Sequence, residues 1–493
     1  MVSPDGLPAK ADSLTPPLER GMFKSFFRMG MAHATGVGLA ICRNKLYAIW
    51  LGAAGIGLLS QLNGYLTLLS SIGLLSASKG ISKYVSEFRA KGRIEDVRTL
   101  VSSSLCVFTI VSGLILLPGI LLSSTVSSLI LGDPAYGRFV MLATIPVVLL
   151  VWKGVLDALI VGYKDTSSYS RSGIGGNILA FVTLIPLVYF WGIDGAVLGF
   201  ITTAVLSLLV TVFYAGMAVR PEKLFVRGPR LMNFRLFRPV LYFGIAGVIC
   251  GAAANLSFLF ARRLIIEHPG LGLQGNGVFQ AAWGLSHQLL PLVLVCMSVY
   301  FYPRLCEISD PKSLGRETLK GLSFAMVLSA PFAALVIAFR YELIRLLYAG
   351  GFVGAADSLI FMMLAEYVRI GSWAFSNAMA SDARLRVLTA TNVAAELVFC
   401  ACSLLFIGHF GQMGIALSCL VSAAALTASG AVWARCRLGT PILSLFSLRV
   451  VLSIILVGGA AVVSLLGFHE KILIPSATGV WIATLLVLYR RRH

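Results

Sequence analysis

Runs of about twenty apolar residues recur along the whole chain, and that repetition constrains the fold more than any single motif. A membrane-spanning helix needs about 20 mainly apolar residues, and by that rule the sequence holds about fourteen spans. Their centres fall near Leu39, Leu66, Ile110, Val148, Leu184, Leu206, Val248, Leu290, Met326, Leu364, Leu397, Leu420, Leu456 and Thr484. Charged residues are 12% of the 493, against roughly 25% in soluble domains. The expected fold is all-α and polytopic. No polar connector is long enough to form a soluble domain, which weighs against a membrane glycosyltransferase or ligase. The polar, proline-rich residues 1–21 lack an apolar core or a cleavage site, so no removed signal peptide is expected.

Basic residues load alternate connectors. They include Lys79, Arg89 and Arg98, then Lys164 and Arg171, then Arg220, Lys223, Arg235 and Arg238. The series continues through Arg304 and Lys320, Arg384 and Arg386, and Arg435 and Arg449, to Arg490–Arg492. The intervening connectors hold little beyond Arg138, Arg340, Arg345 and Lys471. Cytoplasmic loops carry the excess of Lys and Arg, so both termini are expected in the cytoplasm. Most of the net charge of +19 is then a topology signal and an attraction to anionic lipid headgroups, with no nucleic-acid partner implied.

The chain repeats itself. Leu51-Gly52-x-x-Gly55-x-Gly57, then Gly64, recurs as Leu271-Gly272-x-x-Gly275-x-Gly277, then Gly284. Gly192-Ile-Asp-Gly195 recurs as Gly411-Gln-Met-Gly414 at almost the same offset. Two landmarks at one offset indicate a duplicated unit. Each unit holds about six spans, an even number, so the halves share one orientation, and transporters built this way bind substrate between halves. The glycine run is no phosphate loop, because no strand precedes it. It reads as a tight turn followed by close helix packing. The expected organisation is a tail (1–21), a first six-helix lobe (22–219), a basic linker (220–238), a second lobe (239–437), and a terminal helix pair with a basic tail (438–493).

The segments "NKLYAIWLGAAGIGLLSQL", "GLLSASKGISKYVSEFRAKG", "WGIDGAVLGFI" and "GNGVFQAAWGLSHQLLPLVLVCMSVYFYPRL" resemble the polysaccharide (O-antigen type) flippases of the multidrug/oligosaccharidyl-lipid/polysaccharide (MOP) exporter superfamily. The resemblance runs from about residue 24 to residue 437 and is carried by many weak positions. It implies a two-lobed, alternating-access carrier in the bacterial cytoplasmic membrane. Its cargo would be polyprenyl-diphosphate-linked oligosaccharide, with a polysaccharide polymerase as a candidate partner. Related peptidoglycan-precursor flippases also carry a terminal helix pair.

Such a carrier breaks no covalent bond and needs no cofactor. It needs cations for a diphosphate and a polar cavity for sugars. Arg43 and Arg263 occupy matched positions in the two halves, with Lys45 and Arg262 beside them. They are candidates for cavity lining, with snorkelling to the outer interface as the competing reading. Lys153 with Asp157, and Arg369 with Glu366, place a base beside an acid on one helical face in each half. The bases would meet phosphate and the acids would couple an ion, unless each pair simply neutralises itself. Glu396 has no obvious sequence neighbour to pair with and is the first candidate to bind H⁺ or Na⁺, with a hydrogen-bonded structural glutamate as the competing reading. Asn63, Gln280, Gln61, Asn255 and Asn377 could contact sugar hydroxyls. Trp283 and Tyr302 could stack on sugar rings, against a reading as core or interface aromatics, and His287 reads as a packed or cavity-lining residue, with a proton carrier as the alternative.

No Gly-x-x-x-x-Gly-Lys-Ser/Thr motif is present, so a driving force is expected from an ion gradient or the membrane potential. The competing functions are a peptidoglycan-precursor flippase, a cation-coupled drug exporter of the same superfamily, and a scaffold for a polymerase complex.

Overall fold

The computed structural model describes residues 34–75, 77–220, 234–440, 448–467 and 470–490. The tail 1–21, linker residues 221–233 and Arg491–Arg492 lie outside the described residues. The chain runs as α1 (34–50), α2 (Gly52–Gly73), α3 (Ser78–Ala90), α4 (Ile94–Leu121), α5 (Ser123–Leu131), α6 (Gly137–Thr144), α7 (Val147–Gly162) and α8 (Thr166–Val219). The second half follows as α9 (Phe234–Glu267), α10 (Gly272–Cys306), α11 (Pro311–Ala338), α12 (Arg340–Leu347), α13 (Ala355–Ser381), α14 (Leu385–Phe410) and α15 (Gln412–Leu438). A pair, α16 (Leu448–Leu465) and α17 (Glu470–Arg490), closes the chain.

Every expected span centre falls in a helix. Among the described residues nine helices or helix pairs are long and apolar enough to cross a membrane. One of them, α8, is two spans joined at Gly192, whose φ of 54° and ψ of −126° interrupt the helix. The expected span near Val148 is broken at Pro146 into α6 and α7, and the span near Leu66 continues past a turn into α3. The breaks are local chemistry. Asp165 and Asp310 cap α8 and α11 by accepting from Ser168 N and Ser313 N, each at 2.9 Å. Gly132 and Gly439, both at positive φ, end α5 and α15.

The duplication is visible in the backbone. Gly52 and Gly272 take φ of 65° and 57°, and Gly192 and Gly411 both take φ of 54°. A Cβ on Gly195 would overlap the Leu187 carbonyl, and one on Gly414 would overlap the Phe406 carbonyl, its repeat counterpart. Both helical hairpins therefore turn the same way because only glycine reaches this conformation without strain.

Side-chain contacts sort the connectors to two ends. At the basic end Arg89 donates to the Tyr163 carbonyl at 3.1 Å, and Arg437 pairs with Asp382 at 3.2 Å. At the glycine end Arg138 pairs with Asp194 at 2.5 Å, and Gln412 donates to the Gly354 carbonyl at 3.1 Å. Two apolar clusters fill the first half, and a third fills the second half and takes in Leu456, Val457, Ile474 and Trp481 of the terminal pair. That pair thus docks on the second half, through α11.

The halves meet most closely where α2 lies against α10. A Cβ on Gly57 would overlap the Leu273 carbonyl oxygen and come within 2.9 Å of Gly277 N, and one on Gly277 would overlap the Ala53 carbonyl. Asn276 Nδ2 donates to the Gly57 carbonyl at 2.8 Å across the seam. The expected small-residue packing is therefore between halves, and it seals the glycine end.

Candidate functional site

Two cavities of about 250 Å³ each sit beside that seam and share Ser60, Asn63 and Gln280 as common wall. The first-half cavity is bordered by Arg43, Asn44, Tyr47 and Thr203 against Leu66, Leu150 and Leu184. Arg43 makes no hydrogen bond or ion pair among the described residues, and it is exposed. The second-half cavity is lined from α9 by Asn255, Phe258 and Arg262, from α10 by Trp283 and His287, and from α13 to α15 by Arg369, Glu396 and Ser422.

Arg262 is only 4% exposed. Its Nη1 donates to the Ser60 carbonyl at 2.7 Å, reaching across to the first half, and its Nη2 donates to Gln280 Oε1. The guanidinium lies 4.7 Å from the Phe258 ring centroid and 5.3 Å from that of Trp283. No carboxylate pairs with it among the described residues, and its Nε has no partner. Arg369 differs: it pairs with the buried Glu366 at 3.2 Å, and its Nη1 is 3.2 Å from His287 Nε2. His287 Nδ1 in turn lies 3.2 Å from Glu366 Oε1. Glu396 accepts a hydrogen bond from Ser257 on α9.

No family model matches the chain. The chain is 23% identical over 359 residues to the lipid III flippase of Escherichia coli (strain K12), covering 71% of this chain and 83% of that protein. Its structure superposes on the lipid II flippase MurJ in an inward closed conformation with a TM-score of 0.71, at 13% identity, over 95% of this chain and 99% of that one. An inward-facing multidrug resistance MATE family transporter gives a TM-score of 0.68 at 14% identity, over 83% of this chain and 94% of that one. The fold is that of the MOP superfamily.

Within this MOP fold the residues expected from the sequence fall into two groups, and a third set at the site was not among them. Arg43, Arg262, Arg369, Asn63, Gln280, Asn255, Trp283, His287 and Glu396 all border the two cavities. Trp283 already carries His287, stacked at 4.5 Å, and the Arg262 guanidinium, so its ring is used by protein groups.

A second group is drawn elsewhere. Arg263 lies outside the lining of both cavities, paired with Glu267, with its guanidinium against Gly132. Neighbouring residues on a helix point about 100° apart, so the residue that faces the cavity is Arg262, one step from the match made by repeat counting. Lys45 is also outside the lining and donates to the carbonyls of Arg345 and Tyr348. Lys153 and Asp157 pair with each other at 2.5 Å and line neither cavity. Glu366 is buried behind Arg369 and outside the lining. Gln61 is fully buried and donates to the Ile130 and Leu259 carbonyls, Asn377 donates to the Trp373 carbonyl, and Tyr302 is 40% exposed near the basic end.

The third group was not legible. Ser257, Ser422 and Asn44 reach the site, yet single small polar residues in apolar runs carry no pattern of their own. Glu396, read as unaccompanied, has its partner on a helix 139 positions away.

Proposed function

We propose that this protein is an alternating-access flippase for a lipid-linked saccharide precursor whose lipid and sugar are joined through an anionic phosphate linkage. The observation that carries this reading is Arg262. A buried cation is costly unless it is paired, and this one, lining the second-half cavity and bonded to the Ser60 and Gln280 shared wall, has hydrogen-bond acceptors but no counter-charge among the described residues. An anionic cargo supplies it, and Arg43 on the facing wall gives a second cation. Asn63, Gln280 and Asn255 suit hydroxyl-bearing groups. Bases outnumber acids on the cavity walls, which disfavours cationic drugs as cargo.

The names of the relatives, flippases of lipid II and lipid III, favour this class of cargo. Of the two saccharide readings, the peptidoglycan-precursor type is better supported than the polysaccharide repeat unit given first place by the sequence resemblance. The likeness to MurJ covers 95% of this chain, whereas the likeness to the MATE transporter covers 83%. In this reading the basic end faces the cytoplasm, and Glu396 registers a cation or proton. Its repeat counterpart in the first half is Asn177, so only one half carries a titratable group there.

Reconstituted flipping of fluorescent lipid II and of a fluorescent lipid-linked oligosaccharide tests this. Arg262→Gln and Arg43→Gln should each slow the preferred cargo at least tenfold at equal membrane insertion, and Arg262→Lys should retain part of the rate. Wild-type rates in both Gln variants would reject the anion assignment, and a preference for the oligosaccharide would restore the repeat-unit reading.

A further inference from the structure

Lys45 and Arg263 line neither cavity. They nevertheless sit in matched surroundings. Lys45, on the first helix of the first half, donates its ammonium to the carbonyls of Arg345 and Tyr348, which end the short helix α12 of the second half. Arg263, on the first helix of the second half, lies against Gly132, which ends the short helix α5 of the first half. A Cβ on Gly132 would lie 2.6 Å from Arg263 Nη1, and that residue also has a φ of 84°, so only glycine lets the guanidinium approach. α5 and α12 are repeat counterparts: Lys45 bonds to the carbonyl end of α12, and Arg263, whose Nη1 makes no hydrogen bond among the described residues, packs beside the C-terminal end of α5, each in the opposite half. A helix C-terminus carries partial negative charge and favours a cation. The Lys45 bonds satisfy carbonyls that the helix itself leaves without donors.

We propose that Lys45 and Arg263 are a pair of interlobe latches that hold the glycine end shut and let go when that end opens. Both cross between halves at the end where Gly57 and Gly277 are in contact. If the halves part there, each cation loses its helix terminus. Arg263 then keeps Glu267, four positions along its own helix, and Lys45 reaches water or headgroups. The latches act without cargo, so the inference is independent of which lipid is carried.

The test is the distance across the glycine end in full-length protein reconstituted without substrate. Spin labels at Ala135→Cys and Gly351→Cys, on a background with the native cysteines replaced, report on opposite halves. Both positions are exposed, and Gly351 has open space around it. Lys45→Met keeps the apolar stem and removes the charge; it should raise the long-distance population about fivefold, as should Arg263→Met. The double variant should raise it about twenty-five-fold if the latches act independently. Gly132→Ala displaces Arg263 without touching a charge and should move the distribution in the same direction. Lys45→Arg should return it toward wild type. Unchanged distances in the double variant and in Gly132→Ala would overturn the latch. Shifted distances with no flipping of any lipid would leave the latch intact and count against the proposed cargo.

Discussion

Replacing Gly277 with alanine should force the glycine end open. The added Cβ would overlap the Ala53 carbonyl and sit 2.7 Å from its carbon, where about 3.4 Å is the ordinary limit of contact. The obstacle is helix backbone, so α2 and α10 must separate by more than about 1 Å, and overpacking of this kind costs about 1–3 kcal/mol. Separation also lengthens the 2.8 Å bond from Asn276 to the Gly57 carbonyl, a contribution of about 0.5–1.5 kcal/mol. A loss of about 2 kcal/mol from the closed state alone shifts the open-to-closed ratio roughly thirtyfold. Ile56, 6% exposed at the seam, gives the readout. With Ile56→Cys on a background lacking the native cysteines, a membrane-impermeant maleimide should label the Gly277→Ala variant at least tenfold faster. Gly57→Ala should behave alike, since its Cβ meets the Leu273 carbonyl. Gly113→Ala and Gly216→Ala, where a Cβ meets nothing within 4 Å, serve as controls and should label as wild type. Equal labelling in all four would refute the argument that these two glycines exist to let the halves touch.

Glu396→Gln should leave the fold and cargo binding intact but abolish acceleration of flipping by an imposed proton or Na⁺ gradient, measured in proteoliposomes; undiminished acceleration would remove Glu396 from the coupling role. Ser257→Ala should weaken the same response by a smaller factor, because Glu396 loses its hydrogen-bond donor on α9. At the glycine end, Lys471 bonded to Glu342 holds that carboxyl below its ordinary value of 4.5. A depressed carboxylate contributes stability above its unfolded value and loses it as the pH falls through the folded one, so the N-terminus of α17 should loosen only below about pH 4.5. A spin label at Ala477→Cys should report that mobility, and Glu342→Gln should make it independent of pH.

Much of this architecture is written locally. Partition between water and hydrocarbon depends on a window of about twenty residues, so each span centre from Leu39 to Thr484 falls in a helix. A positive φ depends on one residue lacking a Cβ, so Gly52 and Gly272 announced a turn and the duplication together, while Gly192 and Gly411 announced the duplication and the structure added their turns. The two adjacent arginines mark where such reasoning ends. Arg262 and Arg263 are chemically alike and one position apart, and repeat counting selected Arg263. Which of them enters the cavity depends on the rotation of α9 against α2 and α10, and that rotation is set by packing across some two hundred residues of sequence. The same holds for Lys45, whose acceptors at Arg345 and Tyr348 exist only once the second half has folded against the first, and for Glu396, whose donor Ser257 arrives on another helix. Charge and hydropathy determine where a helix lies in the membrane. Only the contact between halves decides whether its cation serves a ligand or a seam.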